Sequence, residues 1–206
     1  MADEILDDGS GLGTPVIELR WRLQNRKLHL PQRHLRMLPA LGFSEALAAW
    51  VQQHVEWTIE KTPDDPDGVL ITALYGSGEA LMRIEPYAEP QEMTADEMVA
   101  SFSPAQEDGV ADTVLWVAEG DRIIVVDEPD RMRSAVNSLM MDLARTTGAS
   151  VEVVPALPED FDATDESVEV FYVSDEHGVV GSVDRSGSVV ERLVSYYRKS
   201  LDTLNA

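Results

Sequence analysis

The sequence has no cysteine, only three lysines, and 16 basic against 38 acidic residues among its 206 positions. Without cysteine there are no disulfides, thiolate metal ligands or cysteine nucleophile, which agrees with a cytoplasmic setting. The lysine shortage restricts the chemistry further. Lys27, Lys61 and Lys199 are the whole set, and none lies between Thr62 and Arg198, which limits any Schiff-base chemistry. His29, His34, His54 and His177 lack the paired spacing of zinc sites, so no metal is expected. No serine sits in a nucleophile elbow. No apolar run reaches the length of a membrane span, and the acidic first residues lack the positive start of a signal peptide, so the expectation is a soluble cytoplasmic protein.

A net charge of −22 excludes nucleic-acid backbones and anionic membranes as partners, since both require a basic face. The charge is uneven: residues 1–61 hold seven Lys/Arg and eight Asp/Glu, a sum of −1, which leaves −21 for residues 62–206. Arg20, Arg22, Arg26, Lys27, Arg33 and Arg36 form one basic cluster. It could hold a small anionic ligand or dock on the acidic remainder, but a solvated strand face is the more ordinary expectation.

An apolar content of 44% can build a real core. The central stretch Asp112–Pro155 reads as a hairpin (Thr113–Val117 and Arg122–Val126), a helix and a strand at Val151–Val154. Asp127–Asp130 supplies acid for the helix N-terminus, and Met132, Val136, Leu139, Met140 and Leu143 form its stripe opposite Arg133, Asn137, Asp142 and Arg145. Around it the pattern predicts strands at Val16–Leu23 and Lys27–Leu30, a helix from Pro31 and a longer helix capped by Ser44 to about Lys61. Trp50 and Trp57 are expected to widen the buried stripe of that longer helix. Hairpins follow at Val69–Glu85, around Gly76-Ser-Gly78, and at Val168–Val183, with a last helix opened by a Ser188/Glu191 capping box. Asp175-Glu176-His177 places acid and base types side by side in a turn, for which solvation is the ordinary expectation. The fold class is α+β, two sheet-and-helix halves: a disordered leader at 1–14, an N-terminal domain at 15–86, a linker at 87–111 and a C-terminal domain at 112–206.

Two blocks resemble a known family. Val16–Leu38 followed by Leu41-Gly-Phe43 is similar to the opening of fold-type IV pyridoxal-phosphate enzymes, the class IV aminotransferases and aminodeoxychorismate lyases. Val117–Gly187 is similar to their C-terminal domain, with Pro158-Glu-Asp-Phe161, Asp165-Glu166 and Gly178-Val-Val-Gly-Ser-Val183 in the family's order. The resemblance implies a truncated class IV aminotransferase fold, a homodimer, and a site between two halves.

The departures fall on the chemistry. The family's Schiff-base lysine lies between the halves, where this sequence has the lysine-free stretch Pro86–Asp112. The family's phosphate cradle is Gly-rich at a helix start, where the sequence offers Asp127–Asp130. Arg36, and after it Arg33, stand nearest the family's phosphate-binding arginine, and Lys61 is the candidate for an unexpected catalytic amine. The leading expectation is a degenerate relative without pyridoxal phosphate, acting as a ligand- or partner-binding scaffold. The alternatives are an active pyridoxal-phosphate lyase or aminotransferase, and an unrelated acidic protein-interaction module.

Overall fold

The computed structural model describes residues 17–25, 27–63, 65, 68–76, 79–102, 110, 113–159 and 161–204. The expected leader at 1–14 and positions 103–109 and 111 of the expected linker lie outside these residues, as do Ser77 and Gly78 of the predicted turn. Alternation makes β1 (Ile17–Gln24) two-faced: Leu19, Trp21 and Leu23 are buried, and Glu18, Arg20 and Arg22 take the other side. The chain turns through Asn25 (φ +51°) into β2 (Lys27–Leu28). β3 (Val69–Gly76) and β4 (Glu79–Pro86) complete an antiparallel sheet in the order β2-β1-β3-β4.

Two helices cover its apolar face. α1 (Pro31–Ala40) begins with a proline, whose missing N–H has no helical partner to lose in the first turn. α2 (Glu45–Lys61) is capped by Ser44, whose Oγ accepts from the Leu47 N–H at 3.2 Å. Leu38, Phe43, Val51 and Val55 pack with Trp21, Leu23 and Ile71 in one core. The buried stripe expected of α2 nevertheless leaves out its tryptophans: Trp50 is 36% and Trp57 58% exposed. Val51, Val55 and Thr58 already meet the sheet, and helical spacing turns positions 50 and 57 outward.

The second sheet follows α3 (Ala95–Ser101), which has a capping box between Thr94 and Glu97. Its strands are β5 (Thr113–Glu119), β6 (Arg122–Val126), β7 (Ser150–Val154), β8 (Val168–Ser174) and β9 (Gly178–Gly181), in the order β7-β6-β5-β8-β9. Every pairing is antiparallel except β6 with β7, which α4 (Ala135–Thr146) connects. α4 and α5 (Ser188–Leu204) cover one face over Trp116, Ile123, Val125 and Phe171. On the other face Ala95 and Met98 of α3 pack over Leu115, Val117, Ile124 and Val170. The architecture is therefore α+β with two sheet-and-helix units.

Three local expectations change. α4 starts at Ala135 behind the N-cap Ser134, not at Asp127–Asp130. Asp127 instead closes a turn, with its N–H on the Val154 carbonyl at 2.8 Å and its carboxylate accepting from Glu128 N–H and Arg131. Asn137 is buried rather than on the polar side, because its amide serves partners in the core. α5 opens at Ser188 as expected, but its first N–H groups are held by Glu169 of β8 rather than by a Ser188/Glu191 box.

Gly178, at φ +76°, passes directly against the ring of Tyr197, where a Cβ would overlap it. Gly178→Ala is expected to lower stability by about 2–4 kcal/mol through backbone strain and overpacking together. Urea denaturation would read this as a lower midpoint at unchanged slope, and an unmoved midpoint would contradict it.

Candidate functional site

The two sheet-and-helix units meet at a seam in which polar side chains are buried. The β8–β9 turn carries Asp175 onto the N-terminus of α4: Oδ1 accepts from the Val136 N–H at 2.8 Å and Oδ2 from the Ala135 N–H at 3.3 Å. These N–H groups have no partner within the helix, so an acceptor from elsewhere must supply one. Beneath them, Asn137 donates to Ser134 Oγ and to the Val173 carbonyl, both at 3.0 Å, and accepts from Trp116 Nε1 at 3.0 Å. All of these groups are buried.

The first unit closes over Asp175. His34 of α1 is 2% exposed, with Nδ1 3.6 Å from Asp175 Oδ2 and its ring 5.2 Å from Trp21. Among the described residues Nδ1 of His34 has no hydrogen-bond partner. Nδ1 of His29 shares a 3.2 Å hydrogen bond with the Tyr197 hydroxyl of α5. Between them Leu30, in the left-handed conformation at φ +53°, joins the core of the second unit. Toward the rim, the Arg22 guanidinium lies 3.5 Å over the ring of Tyr87, whose hydroxyl is 3.2 Å from His177 Nδ1. Arg20 donates to Glu176 at 2.7 Å, and Arg33 reaches Asp142 at 3.1 Å and Ser138 at 3.3 Å on α4.

Burial sets the charges. Desolvation lowers His34 to about 3, and desolvation followed by the charges of Arg22 and His34 lowers His29 to about 4. Both are neutral at physiological pH. Burial raises Asp175 to about 6 against the opposing pull of the Val136 N–H, Ser134 and the Ala135 N–H, so it is mostly ionised at neutral pH. Tyr197 is raised, first by burial and then by the Asp175 charge, and stays a phenol.

Arg20 and Arg33 of the basic cluster therefore dock on acidic side chains of the second unit, where the sequence favours a solvated face. Arg36 is exposed on α1, Arg33 is engaged with α4, and Lys61 is exposed in the last turn of α2. Arg33 reaches the first turn of α4 through Ser138, but the first N–H groups of that helix belong to Asp175. Asp175-Glu176-His177 is not a solvated turn: it is the wedge that fills the seam. Three of the four histidines come to this region, yet among the described residues no three His, Asp or Glu side chains gather as metal ligands. The sequence expectation sets the start of this helix at Asp127–Asp130 and passes over Ser134, a serine before an apolar helical run and the residue that caps it. Nothing in the local sequence pointed to Asp175, some 40 residues away, as its companion.

Acidic side chains serve the same purpose at two other helices. Glu169 accepts from the N–H groups of Gly187, Val189 and Val190 at 2.9–3.0 Å before and within α5, and Asp184 accepts from Ala95 of α3 at 2.8 Å. Part of the acid excess is thus engaged at helix starts.

This arrangement of two sheets defines the fold of the fold-type IV pyridoxal-phosphate enzymes. Among solved structures, 4-amino-4-deoxychorismate lyase from Pseudomonas aeruginosa aligns at 15% identity over 96% of this chain and 95% of its own, with a TM-score of 0.62. A hypothetical aminotransferase from Mycobacterium tuberculosis, in its alpha-ketoglutarate- and PMP-bound form, aligns at 10% identity over 95% and 92%, with a TM-score of 0.60. A branched-chain amino acid aminotransferase (T.th.), complexed with N-(5'-phosphopyridoxyl)-L-glutamate, aligns at 12% identity over 92% and 85%, with a TM-score of 0.59. At these identities the likeness is one of fold. No family model and no curated protein sequence matches the chain.

Proposed function

We propose that this chain is a fold-type IV protein that has given up pyridoxal-phosphate catalysis and serves as a scaffold for a protein partner. The observation that carries this reading is the Asp175 carboxylate on the first N–H groups of α4. The family resemblance implies a phosphate held at a helix start. Here the donors of that kind are occupied by an anion of the chain itself, which would repel a second one. The family also needs a lysine between the halves. Lys27, Lys61 and Lys199 are all exposed on β2, α2 and α5, and no lysine lies between Thr62 and Arg198. The residues present do not fit the cofactor, and no reaction step is assigned to it. A protein partner is favoured over a small ligand because Asp175, His29, His34 and Tyr197 fill the seam where such a ligand would be expected.

The test is an absorbance titration with pyridoxal phosphate, followed by borohydride reduction and peptide mass mapping. The expected result is no saturable spectral change and no reduced adduct. An adduct at a single lysine, Lys61 included, would overturn this reading in favour of an active lyase or aminotransferase.

A further inference from the structure

The second sheet carries an open pocket of about 260 Å³ on its α3 face, at the end of β8 opposite Asp175. Val117 of β5, Ile124 of β6 and Val168 of β8 form its floor, and all three are buried. The connection between β7 and β8 closes one side: Phe161 packs on the same apolar cluster, its N–H on the Pro158 carbonyl at 3.0 Å. The edge of the pocket is acidic. Glu119, Asp162 and Asp165 stand exposed around it, and the cation among the lining residues, Arg122, is already bound to Glu152 of β7 at 2.9 Å.

Two of these carboxylates are fixed by their own loop. Asp162 Oδ1 accepts from the N–H and the hydroxyl of Thr164 at 2.8 and 2.6 Å, and Asp165 Oδ1 accepts from the N–H and the hydroxyl of Ser167, both at 2.8 Å. The Thr164 hydroxyl and N–H hold Asp162 below the ordinary carboxylate range, and the Ser167 N–H and hydroxyl do the same for Asp165, so both are ionised at neutral pH. In each, Oδ2 accepts no hydrogen bond among the described residues. Arg185 lends charge nearby, but its guanidinium donates to the carbonyls of Asp184 and Thr164.

We propose that this pocket receives an arginine side chain of a basic partner protein. Size is the first argument: the pocket falls below the roughly 300–1,000 Å³ of small-molecule and cofactor sites and suits one long side chain. Its chemistry is the second. A long cationic side chain can lay its aliphatic stem along the apolar floor and bring its charge to the acidic edge. The third is the spacing of the carboxylates. Among the described residues no three acidic side chains gather as metal ligands, so these ring the pocket instead of meeting at one point. A guanidinium, with donors on several sides and a planar face suited to Phe161, meets that arrangement better than an ammonium or a metal ion. The charge of the chain works in the same direction, since −21 of the −22 lies in residues 62–206 and steers a basic partner toward this half. For the partner's role the inference rests on the scaffold reading above.

The test is a titration of the folded, isotope-labelled chain with the peptide Ac-Ala-Ala-Arg-Ala-Ala-NH2, followed by amide chemical shifts. The shifts of Ile124, Phe161 and Val168 should move saturably, with a dissociation constant on the order of 1 mM for a single side chain, while those of Ala135 and Val136 stay fixed. Citrulline in place of arginine keeps the shape and loses the charge, and should bind at least about 10-fold more weakly. Lysine should bind several-fold more weakly. Glu119→Gln, Asp162→Asn and Asp165→Asn together leave Thr164 and Ser167 an oxygen acceptor, and should weaken the arginine peptide by at least about 10-fold without disturbing shifts away from the pocket. No saturable movement at the three amides up to about 10 mM peptide, or equal affinity for the citrulline peptide, would overturn the proposal. Equal affinity for lysine would overturn the choice of arginine, and methylguanidinium binding as tightly as the peptide would assign the pocket to a small free cation. The scaffold reading fails separately: a pyridoxal-phosphate adduct would overturn it without moving these shifts, and absent shifts would leave the pyridoxal titration unchanged.

Discussion

Asp175→Ala is expected to cost the fold about 2–4 kcal/mol, because the buried N–H groups of Ala135 and Val136 lose their acceptors while their desolvation remains. Asp175→Asn should behave differently. Its carbonyl can still accept from Val136, and its amide can donate to Nδ1 of His34, but that amide replaces the oxygen that accepts from Ala135, so the loss should be about 1–2 kcal/mol, smaller than for alanine. The alanine variant carries a second expectation. With the internal carboxylate gone, α4 regains an unoccupied N-terminus suited to an anion, and tens of millimolar phosphate should raise the melting temperature of Asp175→Ala but not of the unmodified chain. Thermal melts in phosphate and in a zwitterionic buffer of matched ionic strength would read this. Equal responses of the two proteins would remove Asp175 as the occupant of an anion site, and with it the main support for a lost cofactor.

Much of the fold was legible because its signals are local. The hairpins, the Ser44 cap of α2 and the crossover helix between β6 and β7 all follow from period and punctuation within a dozen residues. The site was not legible, and the reason is physical. A helix N-terminus can be satisfied by a residue of its own sequence, as Thr94 does for α3, or by one far along the chain, as Asp175 does for α4 and Glu169 for α5. Only the first kind leaves a pattern. Asn137 and Trp57 were assigned to opposite environments from those observed for a related reason. Periodicity says which side of a helix is apolar, but a buried amide with a full set of partners, or a tryptophan left 58% exposed among the described residues, is decided by tertiary packing. The basic cluster was visible as composition, and its engagement with Glu176 and Asp142 required both units to be in place.

The seam should also make the protein acid-labile in a way that can be traced to one residue. His34 and His29 have folded values near 3 and 4, below the 6.5 of the free side chain. The unfolded chain therefore takes up these protons first, and the stability both residues contribute is complete above 6.5 and lost as the pH falls toward those values. Asp175 has the opposite sign: its folded value near 6 exceeds 3.8, so its stabilising protonation develops as the pH falls through 6 and is lost as the pH rises through it. Between about pH 6 and pH 4 the two histidines outweigh the single carboxyl by one proton. Their net contribution is a fall of about 1.4 kcal/mol per pH unit. Asp127 and His177 add smaller terms of opposite sign, Asp127 raised by its burial and His177 lowered by its own. His34→Gln isolates the effect, since the other groups are common to both proteins: in that window Asp175 and His29 then nearly cancel, and the slope should flatten by about 1.4 kcal/mol per unit. Urea midpoints at pH 4, 5 and 6 for the two proteins would measure the difference. Parallel curves would mean that the incoming proton stays within the His34–Asp175 pair at 3.6 Å rather than breaking it, and that the seam tolerates acid as an ion pair.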